Sequence, residues 1–192
     1  MNLKLKMAFL MICAIFATGI ATAKSKAKNT SAELTAFYED CIEDDKDRPC
    51  LFDHPVPLPK NVLDALRATK EAKESQDRLK DYDRDDFAQL FKAVAIHLGG
   101  PKEIDYVVMG EFPMGGADAP WFWIVHSSPT PTKVIFFTFA NGFEILRTQN
   151  NGYPNIRSNS WAGGIQYTNI YHYDGQRYIL AHKYQKEIDP YK

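Results

Sequence analysis

The sequence predicts an α+β protein, in which N-terminal helices pack on a C-terminal antiparallel sheet of about five to seven strands. Three observations lead to this prediction. Apolar residues recur at helical spacing up to residue 100, and at strand spacing from Glu103 onward. Gly, Pro, Asn and Ser separate the strand-like runs, as turn residues do. The helical segments precede the strands instead of alternating with them, which favours α+β over a parallel βαβ fold.

Three segments have helical spacing. Leu34, Phe37, Tyr38 and Cys41 would share one face of a helix that Ser31 caps. The highly charged stretch from Lys60 to Asp81 is expected to be helical, with a solvated second half. The longest regular pattern predicts a helix from Asp83 to Leu98, ended by Gly99-Gly100-Pro101. Its apolar face consists of Phe87, Leu90, Phe91, Val94, Ala95 and Leu98.

Runs rich in β-branched and aromatic residues predict seven strands. They are Ile104–Met109, Trp121–His126, Lys133–Phe139, Phe143–Thr148, Asn155–Ser158, Ile165–Tyr173 and Gln176–Lys186.

Two short turn motifs predict hairpins. Asn141-Gly142 would join the third and fourth strands, because both central residues of such a turn need positive φ. Both faces of that hairpin are apolar, so it is expected to be central and covered on both sides. Asp174-Gly175 would join the last two strands, with tyrosines on one face and aliphatic residues on the other. In that register His172 and His182 lie on opposite faces.

The N-terminus has the three parts of a secretory signal. Lys4 and Lys6 precede an apolar run from residue 7 to 17, and Ala21-Thr22-Ala23 supplies the small residues of a cleavage site. A membrane anchor is the alternative, but a spanning helix needs about 20 apolar residues. We therefore expect a signal peptide over 1–23, a flexible tail over 24–30, and a single domain over 31–192. That domain would have a helical part over 31–100 and a sheet over 103–187.

Charge and cysteine content limit the function. The signal contains two of the 23 basic residues and no acid, so the mature chain would carry 21 basic and 24 acidic residues. This near balance excludes a broad basic surface for nucleic acid. Cys41 and Cys50 remain after cleavage, and in an oxidising compartment they are expected to form a disulfide, with two free thiols as the alternative.

The C-terminal part resembles a known kind of protein. Gly152-Tyr153-Pro154-Asn155-Ile156, then Trp161, then the run from Tyr171 to Tyr178 (YHYDGQRY) is similar to the C-terminal end of small exported bacterial proteins, many without an assigned function. The resemblance covers Gly152 to Tyr178 alone, and similar hairpins recur in repeat-built β-proteins. It implies a β-hairpin, export and a bacterial source, and it implies no activity.

The sequence contains no recognisable catalytic, metal or cofactor motif. The five histidines form no H-E-x-x-H and no close pair, and there is no C-x-x-C, so no metal site is predicted. A G-x-S-x-G elbow is absent, and the segment from Gly110 to Gly116 is not a phosphate-binding loop. No cofactor is expected.

Large residues in two polar loops, and on the tyrosine face of the last hairpin, are candidates for a binding surface. Tyr, Trp and Arg are the usual anchors of interfaces. The candidates are Asp118, Tyr153, Arg157, Trp161, Tyr171 and Tyr178. A packed sheet whose hydroxyls reach water at its rim is the simpler interpretation of the tyrosines.

The sequence is therefore interpreted as an exported, periplasmic or secreted, non-enzymatic binding protein, for example an inhibitor or an immunity-type factor. Its partner would be a protein or another envelope macromolecule, with no nucleic acid and no membrane span after cleavage, and oligomers are compatible with it. One alternative is an envelope-acting hydrolase with His126 or His182 as base, supported by Asp118 or Asp174. Another is a carrier that holds a small ligand between helix and sheet.

Overall fold

A computed structural model describes residues 51–52, 54–79, 87–115, 119–128 and 131–188, together with the backbone of 37–39; for 76–79 it describes the backbone alone. Nine strands, two α-helices and one 3-10 helix lie in these ranges. The strands are β1 (Phe37–Glu39), β2 (Phe91–Ile96), β3 (Ile104–Gly115), β4 (Pro120–Ser128), β5 (Lys133–Phe139), β6 (Gly142–Asn150), β7 (Tyr153–Ala162), β8 (Ile165–Tyr173) and β9 (Tyr178–Glu187). The helices are α1 (Lys60–Arg67), α2 (Lys70–Leu79) and the 3-10 helix Phe87–Leu90.

The strands form two antiparallel sheets that face each other. The five-stranded sheet has the order β1-β6-β7-β8-β9, and the four-stranded sheet has the order β2-β3-β4-β5. The second face of the four-stranded sheet is covered by α1, α2 and the 3-10 helix. The described chain is therefore mostly β, and the predicted α+β fold with helices packed on a single sheet is wrong. No helix in the described ranges is long and apolar enough to cross a bilayer.

All seven predicted strands are confirmed, with small differences at their ends. The largest difference is in β3, which continues to Gly115 across a register irregularity between Gly110 and Gly115. The helical prediction for the charged stretch after Lys60 is also confirmed, since α1 and α2 lie there. Local periodicity located these elements because each has a face directed at a core.

The predicted helix from Asp83 to Leu98 is wrong, because its described part is a 3-10 helix followed by β2. Phe91 and Ala93 pack toward the helical layer, whereas Val94 and Ile96 pack toward the five-stranded sheet. A strand covered on both faces has apolar residues on both sides, and its spacing then imitates that of a helix. Pairing with β3 decides in favour of the strand.

The predicted helix that starts at Ser31 is wrong where the structure describes it. Phe37–Glu39 is β1, which pairs antiparallel with the start of β6. Leu34 and Cys41 lie outside the described residues, as does Cys50, so the expected disulfide stays a prediction.

Asn141-Gly142 does not form a hairpin, and this prediction is wrong too. The chain leaves the four-stranded sheet after β5 and enters the other sheet at β6, so the two residues connect the layers. Thr138 pairs with Phe122, and Ile145 pairs with Ile156. The Asn141 N–H donates to the Asn159 carbonyl at 2.8 Å, which fixes the corner. The apolar residues on both faces of the β5 segment are explained by the helical layer on one side and the second sheet on the other.

The two sheets are joined by aromatic side chains. Phe143 of β6 is 1% exposed and stacks on Phe122 of β4, with ring centroids 5.2 Å apart. Phe136 of β5 meets Tyr178 of β9 edge-on at 5.5 Å. Full burial of one such side chain contributes roughly 1.5–3 kcal/mol, and an aromatic pair adds roughly 0.5–1.5 kcal/mol. These contacts therefore hold the sandwich together.

The last hairpin differs in register from its prediction. Tyr173 pairs with Tyr178, so the turn has four residues, and Asp174 Oδ1 accepts the N–H groups of Gln176 and Arg177 at 2.7 and 2.8 Å. An irregularity near Ala181 then shifts the pairing. His172 and His182 consequently share one face, with ring centroids 5.8 Å apart, and the expectation of opposite faces is wrong.

Candidate functional site

A buried polar cluster lies between the sheets, near the start of β3. Asp105 of β3 and His126 of β4 are direct cross-strand partners. The imidazole Nδ1 lies 2.9 Å from Asp105 Oδ1. Asp105 is fully buried and His126 is 9% exposed. The antiparallel pairing of two predicted strands thus places a carboxylate beside a histidine.

Both oxygens of Asp105 have hydrogen-bond partners. Oδ2 accepts the Leu98 N–H at 3.1 Å, and Oδ1 accepts the Nδ1–H of His126 in the tautomer that is protonated there. A neutral imidazole that donates from Nδ1 has its free lone pair on Nε2. Nε2 has no hydrogen-bond partner within the part of the chain that the structure describes.

Tyr153 brings the second sheet into the cluster. It begins β7, its side chain is buried, and its hydroxyl donates to a carboxylate oxygen of Glu103. The same hydroxyl oxygen lies 3.3 Å from His126 Nδ1, so it can share the proton that Asp105 accepts. Glu103, in the turn before β3, is half-buried. Together these side chains form a continuous chain of hydrogen bonds across the interface between the sheets.

The electrostatics of the cluster are dominated by burial and by anions. Burial outweighs the hydrogen bonds from His126 and Leu98, so the pKa of the Asp105 carboxyl is raised. Burial, the hydrogen bond to Glu103 and the charge of Asp105 raise the pKa of the Tyr153 hydroxyl as well. The pKa of the Tyr178 hydroxyl is raised too, mainly by burial and then by the charge of Asp105. Burial is thus the first cause of all three pKa shifts, and the carboxylate of Asp105 adds to those of the two tyrosines.

The backbone of Gly99 lies close to the side chains of Glu103 and Tyr153. A Cβ atom at this position would overlap the carboxylate of Glu103 and would come within 2.7 Å of the Tyr153 ring. Only glycine lets the backbone approach these two side chains so closely.

Glu103, Asp105 and His126 each offer one possible metal-ligand atom, and these atoms all lie within 4.8 Å of one another. Glu103 and Asp105 were not predicted from the sequence, which suggested Asp118 or Asp174 as the carboxylate partner of His126. Asp118 lies outside the described residues, and Asp174 is on an exposed turn. An aspartate inside the apolar run of β3, opposite a histidine in the next strand, was the signal available in the sequence.

A second candidate site is the face of β7, β8 and β9 that points away from the four-stranded sheet, here called the outer face. Strand alternation from the observed registers defines its members. They are Arg157, Asn159, Trp161, Gln166, Thr168, Ile170, His172, Ile179, His182, Tyr184 and Lys186.

The outer face combines exposed apolar side chains with basic groups. Trp161, Ile179 and Tyr184 are 36%, 43% and 56% exposed. His182 stacks on Tyr184 with centroids 6.2 Å apart. None of the outer-face members defined above is acidic, and the neighbouring Glu144 of β6 is ion-paired with Arg157. The face is thus apolar, with a basic or neutral polar surround.

The predicted binding residues are divided between interior and surface. Tyr153 and Tyr178 are buried, and the Tyr178 hydroxyl donates to the Pro154 carbonyl at 2.8 Å. Tyr171 is half-buried and packs edge-on against the ring of Phe136. Arg157 is half-buried in its ion pair, and Trp161 is exposed on the outer face.

The chain was compared with known protein families, curated proteins and solved structures. No protein-family model, no curated protein and no solved structure matches this chain.

The raised pKa of Asp105 predicts a specific pH dependence of stability. The folded state holds a proton that the unfolded state has released, so the free energy of unfolding falls as pH rises above 3.8, until the folded-state pKa is passed. Asp105→Asn lacks this titration, although it costs about 1–3 kcal/mol by leaving a buried donor unpaired. We expect the unfolding free energy of the wild type, minus that of Asp105→Asn, to decrease with pH in urea titrations. An increase would mean that the pairing with His126 outweighs burial.

Proposed function

We propose that this protein is exported and acts as a binding protein, using the outer face to hold another envelope protein. The observation that carries the proposal is the exposure of Trp161, Ile179 and Tyr184 on one face of three adjacent strands. Large aromatic and aliphatic side chains on a preformed sheet lose little conformational entropy on binding, and Trp and Tyr are frequent anchors.

The charge of the outer face specifies the chemistry of the partner. His172, His182 and Lys186 surround the apolar side chains, and Glu144 is neutralised by Arg157. Acidic groups on the partner would find hydrogen-bond donors on this face. Basic groups on the partner would find no unpaired acidic side chain among its members. A partner with an apolar patch bordered by carboxylates therefore fits this surface best.

Two exposed aromatic residues provide a matched pair of variants for capture from envelope extract. Tyr184 on the outer face is 56% exposed, and Phe139 at the end of β5 is 59% exposed. With the mature protein as bait, Tyr184→Ala is expected to reduce the capture of one envelope protein by roughly 10-fold or more, whereas Phe139→Ala leaves it unchanged. Quantitative mass spectrometry of the bound fraction measures this.

Two results would contradict the binding proposal. One is that both variants retain every captured protein at the wild-type level. The other is sedimentation of the bait as a dimer that Tyr184→Ala dissociates, since the outer face would then be covered by a second copy of this chain.

Export is the second part of the proposal, and it is supported by the signal over 1–23 and by the cysteine pair Cys41 and Cys50. The protein purified from an exporting host is expected to begin at Lys24. Its intact mass should be lower by two hydrogens than that of the reduced chain. Retention of 1–23, or alkylation of both thiols in the folded protein, would overturn this part and leave the binding test unaffected.

A further inference from the structure

We propose that Glu103, Asp105 and His126 form a binding site for one divalent first-row transition metal ion, such as Zn²⁺. The site is separate from the outer face, and it does not depend on the proposed function. The three side chains come from a turn and from two paired strands, yet their ligand atoms lie within 4.8 Å of one another.

Polar oxygen atoms lie close to His126 Nδ1. Asp105 Oδ1 lies 2.9 Å from Nδ1, and the Tyr153 hydroxyl oxygen lies 3.3 Å from it, in hydrogen bond with Glu103. Two atoms that bind one zinc ion at about 2.1 Å lie roughly 3–3.5 Å apart. The Asp105 and His126 atoms, at 2.9 Å, are therefore slightly closer than two ligands of one zinc ion, and a bound ion would separate them by roughly 0.1–0.6 Å.

Charge supports a cation at this position. The carboxylates of Asp105 and Glu103 lie beside the His126 imidazole in a largely buried site. A buried carboxylate needs a compensating charge or several hydrogen bonds. A divalent ion would neutralise both carboxylates at once, which no side chain of the cluster can do.

The ligand set indicates which ion is suited. One imidazole nitrogen and two carboxylate oxygens suit Zn²⁺, Mn²⁺ and similar ions, whereas Ca²⁺ and Mg²⁺ prefer oxygen ligands alone. Binding at Nδ1 displaces the proton that Asp105 accepts, so the neutral ring then carries its proton on Nε2.

Tyr153 and Gly99 act as positioning residues for Glu103. The Tyr153 hydroxyl donates to the Glu103 carboxylate, and Gly99 leaves the space that this carboxylate occupies. Hydrogen bonds of this kind orient a metal ligand, and their loss typically weakens metal binding 10- to 100-fold. Tyr153→Phe is expected to have an effect of that size while keeping the ring that stacks on Tyr173.

The histidine pair of the outer face must be removed before metal binding is measured. His172 and His182 lie close together on the outer face and could capture Zn²⁺ at the surface. The test protein is therefore the mature chain with His172→Gln and His182→Gln. Calorimetry with Zn²⁺ gives the stoichiometry, and the visible absorption of bound Co²⁺ reports ligands independently of stability.

We expect this double variant to bind one Zn²⁺ per chain, and the addition of Glu103→Gln or His126→Gln to weaken binding by about 100-fold or more. The control is His54→Gln, which removes an exposed histidine outside the proposed ligand set and should change nothing. Glu103→Gln is the decisive variant, because Glu103 is only half-buried and the substitution preserves its shape. Absence of binding in the double variant would overturn the proposal, as would Zn²⁺ affinity and a Co²⁺ spectrum unchanged by Glu103→Gln.

Discussion

The structure depends on the contact between two sheets through a small set of aromatic rings. Phe122 of the four-stranded sheet stacks on Phe143 of the five-stranded sheet, and Phe136 packs against both Phe143 and Tyr178. Each sheet alone would expose an apolar face to water. Burial of these faces is the main favourable term that the sandwich gains on folding, because apolar area removed from water contributes roughly 25 cal/mol per Å².

The same contact determines where polar groups can meet. At the edge of the aromatic core, the facing sheets bring Tyr153 of β7 over Asp105 and His126 of the β3–β4 pair. A buried carboxylate is tolerated there because the Leu98 N–H and the imidazole satisfy it. The polar cluster is therefore a consequence of how the sheets are aligned, and no single segment of the sequence contains it.

The five-stranded sheet has a different environment on each face. Phe143 and Ile156 are buried against the other sheet, whereas His182, Tyr184 and Lys186 are exposed. Most of β9 is exposed, so this strand offers large side chains on a rigid frame. A preformed surface of this kind binds with little reorganisation, which is the physical basis of the proposed function.

Sequence periodicity located the strands but not their partners. The seven predicted strands exist because alternation and turn residues are local properties. The assignment of β2 to a helix failed because Phe91 and Val94 pack into different layers, and the Asn141-Gly142 hairpin failed because the chain changes sheets there. The pairing of strands and the layer in which each strand lies depend on tertiary contacts, which local sequence patterns do not reveal.

The buried cluster was missed for the same reason. His126 was recognised as a candidate base, and its carboxylate partner could not be chosen until the β3–β4 register was known. Among the residues predicted as binding candidates, Trp161 is exposed on the outer face. Tyr153 and Tyr178 are interior residues, because an aromatic strand residue faces either core or solvent with the same local pattern.

The free energy of unfolding of Phe143→Ala, compared with that of Phe139→Ala, tests the inter-sheet contact most directly. Phe143 is 1% exposed and Phe139 is 59% exposed, and both substitutions remove the same atoms. The account predicts a loss of about 3–5 kcal/mol for Phe143→Ala, and a change within about 0.5 kcal/mol for Phe139→Ala. Equal losses in urea denaturation would contradict a sandwich joined through these rings.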